Sequence, residues 1–186
     1  MKSENRKDDI LQTAARLFKE KGYTGVSMRN IGEALGIKAA SLYNHIGSKQ
    51  EILASIIMTV AEAFTAGMET IVKSEQSTLE KLEAVIDLHV QITIDYADNL
   101  GSLNNDWMHL EEPKLASFLK MRSDYEENFR NILKQGVAKG EIVGLPVETM
   151  LFSILSTLRT LYLWYSKKEG IEARQLATQM LSLIHI

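Results

Sequence analysis

Apolar residues recur at every third or fourth position along almost the whole chain, and runs of strict apolar–polar alternation are missing. Ile10, Ala14, Leu17 and Phe18 fall on one helical face in the first such stretch. Leu151, Ile154, Leu155, Leu158, Leu161, Tyr162 and Trp164 crowd more than one stripe of a later one. Prolines stand only at 113 and 146, so few positions forbid a helix. The pattern predicts an all-α fold whose connections are marked by glycine, proline and capping residues.

The first helix is expected over "DDILQTAARLFKEKG", with Asp8 and Asp9 favouring its positive end and Gly22 closing it. Ser27 can cap a short helix from Met28 to Leu35, with Ile31, Ala34 and Leu35 inward and Gly36 as the stop. A third, of about two turns, runs from near Lys38 to His45 and is anchored by Leu42. Ser48-Lys49-Gln50-Glu51 is a capping box that opens a long helix reaching Lys73. Later helices are expected at about 77–99, 113–139, 147–168 and 172–184, with a short helical or irregular piece around 102–110. Gly67, inside the fourth helix, marks either a close crossing or a bend.

Composition narrows the function. The chain has 186 residues and no cysteine, which excludes disulfides, thiolate zinc sites and cysteine nucleophiles. The start "MKSENRKDDI" has no apolar signal core, and a cytoplasmic protein is expected. Residues 1–50 hold nine basic and five acidic residues, whereas the remainder holds 12 and 19. A basic front before an acidic back suits an N-terminal lobe that meets a polyanion, although solvated charges cluster by chance as well.

Two short helices joined by Gly36-Ile37, the second small-faced and followed by a capped long helix, have the layout of a helix-turn-helix. Gly36 allows the turn, Ile37 fills the gap and Leu42 pins the second helix to the first. Its outer face then carries Ala39, Ala40, Ser41, Tyr43, Asn44 and His45. Small residues let a helix sit deep in the major groove, an alanine methyl can meet a thymine methyl, and asparagine can read adenine with two hydrogen bonds.

Residues 10–53 resemble the DNA-binding domain of the tetracycline-repressor (TetR) family of bacterial regulators. The shared elements are Ala-x-x-Leu-Phe-x-x-x-Gly-Tyr, Ser27 ahead of Ile-Gly-x-x-Leu-Gly-Ile, Leu-Tyr-x-His and Ser-Lys-x-Glu. The resemblance implies an N-terminal three-helix DNA-binding domain (1–50), joined by a long fourth helix to a helical ligand-binding and dimerisation domain (51–186). It implies that Tyr43, His45, Lys49 and Ser27 hold backbone phosphates, and that Arg29, Ala39, Ala40, Ser41 and Asn44 face base edges. Arg29 would grip guanine for about 1–3 kcal/mol of specificity. Lys38 stands where the family has a capping Ser or Thr, a loss of about 1 kcal/mol, and is assigned instead to a phosphate or base. Ile46 for phenylalanine and Ala40 for glycine or proline are packing changes.

The larger half resembles members that regulate fatty-acid or acyl-thioester metabolism, through a Tyr-Glu pair, a Gly-x-x-x-Gly-Glu-Ile turn and a late Trp-Tyr. Expected partners are an operator duplex, a small-molecule effector such as an acyl-thioester or other hydrophobic anion, and a second copy paired through the last two helices. No cofactor and no membrane are expected. Candidate effector-lining residues are Tyr96, Trp107, Met108, Phe118, Met121, Arg122 and Tyr125, mostly apolar with one cation. His89, His109 and Glu112 are conceivable metal ligands, but no ligand motif joins them and no metal site is expected. An enzyme is disfavoured, since nucleophile elbow, phosphate-binding glycine loop and metal box are all missing. A ligand-released repressor is the expected function; the alternative is a DNA-binding activator or architectural dimer without ligand control.

Overall fold

The computed structural model describes residues 2–165, 176 and 178–180, with side chains from Arg6 onward. In chain order it comprises α1 (Lys2–Lys21), α2 (Met28–Ala34), α3 (Ala39–Leu42), α4 (Lys49–Lys73), α5 (Thr78–Asp95), α6 (Asn99–Asn105), a 3-10 turn (Trp107–His109), α7 (Lys114–Lys139) and α8 (Val147–Tyr165). The described residues contain no strand. Most of the helix expected over 172–184 lies outside them, though 176 and 178–180 are helical.

Local chemistry explains the boundaries. Gly22, Gly36 and Gly140 all take positive φ, where a helix reverses out of its last turn. Ser27 caps α2 reciprocally: its hydroxyl accepts the Asn30 N–H, and the Asn30 side chain accepts the Ser27 N–H at 2.9 Å. Ser77 and Glu80 do the same for α5. The box at Ser48 is modified. Its hydroxyl accepts the Glu51 N–H, but the Glu51 carboxylate reaches back one residue further, to the Gly47 N–H at 2.8 Å. That backbone bond holds the Glu51 carboxyl below its ordinary range.

Several expectations change: α1 begins at Lys2, ahead of Asp8 and Asp9, and the helix expected over 77–99 ends at Asp95. The third helix is a single turn rather than two, because Lys38 supplies no side-chain acceptor at its start and Tyr43 already ends it. Ala34 is exposed, and Gly32 takes the inward place beside Ile31. A Cβ at Gly32 would lie 2.9 Å from the Ile37 carbonyl oxygen and 3.2 Å from the Ala39 nitrogen, so only glycine lets the two helices close this far.

The chain forms two compact units. The first contains Met1–Ala61 and Asp98–Phe118, so α6 and the 3-10 turn join the first three helices, where a single cut after residue 50 would have left them out. Its buried residues include Ile10, Ala14, Phe18, Ile31, Leu42, Ile46, Ile52, Leu53 and Ile56. The second contains Glu62–Ala97 and Leu119–Ile186. Its core gathers Met68 and Ile71 of α4, Leu82, Val85, Ile86 and Val90 of α5, Phe129 and Leu133 of α7, and Leu151, Ile154, Leu155, Leu158 and Leu161 of α8. By length and composition α4 is apolar enough to cross a membrane, but its apolar residues supply both cores. Gly67 marks a close crossing: a Cβ there would sit 2.4 Å from Leu88 Cδ1.

Gly32→Ala is expected to destabilise the first unit by about 1–3 kcal/mol, because backbone atoms, unlike a side chain, cannot rotate away from the new methyl group. A lowered midpoint in urea, followed by far-UV circular dichroism, would register the loss.

Candidate nucleic-acid interface and effector unit

The first three helices present a polar, small-faced surface. Lys38, Ala40, Tyr43 and Asn44 are exposed, while Ala39, Ser41 and His45 are half-buried around the anchor Leu42. Tyr43 is 55% exposed despite its large ring. Among the described residues, the side chains of Lys38, Tyr43, Asn44 and His45 have no hydrogen bond or ion pair to the protein. Such a face has donors to give and little apolar area to hide.

Other predicted contact residues are already engaged. Arg29 donates Nε to Glu33 at 2.8 Å in a solvent-exposed pair, which competes only weakly with a stronger anion. The Ser27 hydroxyl donates to Asn30 Oδ1 at 2.6 Å as part of its cap. Lys49 points inward. Its ammonium donates to the Tyr23 and Val26 carbonyl oxygens at 2.9 and 2.8 Å and lies 4.0 Å over the Tyr23 ring. Burial lowers the Lys49 ammonium below its ordinary range, while the Asp106 carboxylate opposes that shift. Burial, then Glu111 and Asp106, raise the Tyr23 phenol.

The predicted effector residues divide between the units. Trp107 and Phe118 belong to the first, their rings 6.0 Å apart and tilted by 32°, and Met108 beside them is 60% exposed. Tyr96, Met121, Arg122 and Tyr125 belong to the second. Tyr125 is buried and shares a 2.9 Å hydrogen bond with His89 Nε2, while the Phe64 ring meets His89 at a tilt and Tyr125 edge to face. Burial first, and the Arg159 guanidinium second, push His89 down to about 3, so its imidazole is neutral. Burial raises the Tyr125 phenol well above its ordinary range. Burial would also raise the Glu126 carboxyl, but hydrogen bonds and charge from Arg159 and Arg122 hold it below its ordinary range.

His89 lies on the same buried face of α5 as Leu82, Val85 and Ile86. The second unit also carries a groove of about 800 Å³, lined by Leu79, Ile142, Leu145, Met150, Ile154 and Thr157 among others, and by none of the seven predicted residues. His109 lies in the first unit, stacked on Tyr23, and His89 in the second; among the described residues no three His, Asp or Glu side chains gather as metal ligands.

Residues 10–56 match the family model described as bacterial regulatory proteins, tetR family. Residues 75–185 match that of the tetracyclin repressor-like C-terminal domain. The chain belongs to the tetracycline-repressor family. Its relatives include the HTH-type transcriptional repressor KstR2 of Mycolicibacterium smegmatis, 26% identical over 97% of this chain and 89% of that protein. The regulator PfmR from Thermus thermophilus has a similar structure, with a TM-score of 0.81 and 28% identity over 95% of this chain and 96% of PfmR. AibR, solved with isovaleryl coenzyme A and operator DNA, shares the fold at a TM-score of 0.81 and 24% identity, over 97% of this chain and 98% of AibR. As a TetR-family protein the chain is a DNA-binding transcriptional regulator, not an enzyme.

Because His89 stays neutral when folded but takes a proton near pH 6.5 when unfolded, unfolding absorbs a proton between those limits. Stability should therefore fall as pH drops from about 6.5, by up to about 1.4 kcal/mol per pH unit. Melting temperatures across this window should decline less steeply for His89→Gln than for the wild type.

Proposed function

We propose that the protein is a repressor that binds a palindromic operator as a homodimer and is released by a small molecule. The reading rests on one observation above all: a small-faced recognition helix whose Lys38, Tyr43 and Asn44 side chains are exposed without partners inside the protein. Tyr43, His45 and Ser27 meet phosphates, Lys38 a phosphate or base, and Arg29, Ala39, Ala40, Ser41 and Asn44 base edges. Engaging guanine requires Arg29 to leave Glu33, a weak exposed partner.

The first unit binds DNA, and the second takes the effector and the partner copy. A chemically suitable effector is an acyl-thioester or another hydrophobic anion, in keeping with the isovaleryl coenzyme A bound by AibR. Of the candidate effector residues, Tyr96, Met121, Arg122 and Tyr125 belong to this second unit and are the ones assigned to it. Dimerisation is supported by α8. Leu151, Ile154, Leu155, Leu158, Leu161 and Tyr162 are spent on the protein's own core, whereas Phe152, Leu163 and Trp164 remain 72%, 48% and 44% exposed. Phe152, Ser156, Thr160 and Leu163 form an exposed stripe at helical spacing, suited to the partner's last two helices. Work of this kind places the protein in the cytoplasm, with the chromosome.

Selection from random duplexes should yield a palindrome, with log K falling against log salt at a slope of about −5 to −9, as for about six to ten neutralised phosphates. Tyr43→Ala should weaken binding about tenfold. A panel of acyl-coenzyme A thioesters should include one that releases the duplex; undiminished binding with every effector tried would favour the activator or architectural alternative. Phe152→Glu should shift the sedimentation coefficient towards a monomer.

A further inference from the structure

The turn from Tyr23 to Val26 sets where α2 begins, and so where Ser27 places its cap. Two residues distant in sequence hold that turn. Lys49 spends two of its three ammonium donors on the Tyr23 and Val26 carbonyls, with the Tyr23 ring beneath it. Asp106 Oδ1 accepts the Tyr23 N–H at 3.2 Å in a buried bond. The His109 ring stacks on Tyr23 at 5.5 Å, and its carbonyl accepts Gln50 Nε2 at 2.6 Å, tying the same segment to the start of α4.

We propose that Lys49 and Asp106 are positioning residues for DNA binding: together they clamp the turn ahead of the helix-turn-helix, and Lys49 acts through these internal bonds rather than on a phosphate. The proposal rests on the DNA-binding function given above. A solvated surface lysine would be free to follow a phosphate; this one has exchanged water for two carbonyls and an aromatic face. Asp106 lies in the stretch that links α5 to α7, so the clamp joins the DNA-binding turn to that link without involving the recognition helix.

Two features separate a clamp from a phosphate contact. A lost phosphate contact lowers the salt slope by about 0.9 per site, whereas a disordered turn weakens binding at every salt without changing the slope. Removing the negative Asp106 would tighten binding to DNA if charge alone mattered, whereas the clamp requires it to weaken.

Operator affinity is therefore to be measured across salt for the wild type, Lys49→Met, Lys38→Met, Asp106→Ala and Asp106→Asn, each checked for its melting temperature. Lys49→Met and Asp106→Ala should each weaken binding about tenfold with an unchanged slope. Asp106→Asn, which keeps an acceptor for the Tyr23 N–H, should recover most of the loss. Lys38→Met, on the exposed face, should lower the slope. If Lys49→Met does not fold, the Asp106 pair decides the matter alone. A slope lowered by about one per protomer in Lys49→Met, or undiminished affinity in Asp106→Ala, overturns the proposal. A wild-type protein that selects no duplex overturns the DNA-binding function and this proposal with it.

Discussion

Burial along α4 is the constraint on which the rest of the structure depends. Ile52, Leu53, Ile56, Ile57 and Val60 are buried in the first unit, and Met68 and Ile71 in the second. Two small lobes would each struggle to bury enough apolar surface alone, and a shared helix lets both draw on one regular element. The composition of α4 follows: apolar enough to resemble a membrane span, it spends that apolarity inside the protein. Its N-terminus must therefore be secured by other means, and Lys49, Glu51 and Ser48 do so with directed polar bonds.

The two units use polarity in opposite ways. The first unit leaves the polar side chains of Lys38, Tyr43 and Asn44 exposed, without partners among the described residues. The second unit buries His89 and Tyr125 beside Phe64 in a mostly apolar core and pairs the imidazole with the phenol. Enclosure costs a histidine its proton but leaves an oriented hydrogen-bonding pair, the kind of group that lends direction to a mostly apolar site.

Much of this was legible before any coordinates. Ser27, Ser48, Gly22 and Gly36 place helix ends because capping is chemistry local to three or four residues, and the bounds of α4 emerged as read. The family followed from spaced matches between Ala14 and Glu51, all within the stretch that matches the family model. Less legible was anything decided across distance. Ala34 and Gly32 exchange roles because a backbone carbonyl at Ile37 leaves room for a hydrogen atom and no more. Gly67 reads equally well as a bend or a crossing until Leu88 is seen against it.

The sequence by itself determined the helical class, the punctuation of the helices and the membership in a DNA-binding family, since these rest on periodicity and on bonds between near neighbours. The tertiary structure decided which polar groups are spent and which remain free. The family resemblance assigns Lys49 to a phosphate; in the structure its ammonium donates to the carbonyls of Tyr23 and Val26, residues 26 and 23 positions away. Asp106 reaches Tyr23 across 83 positions, and His89 meets Tyr125 across 36. A side chain's partner depends on which elements pack together, and that depends on the burial of the whole apolar surface, a sum over distant residues that no local pattern records.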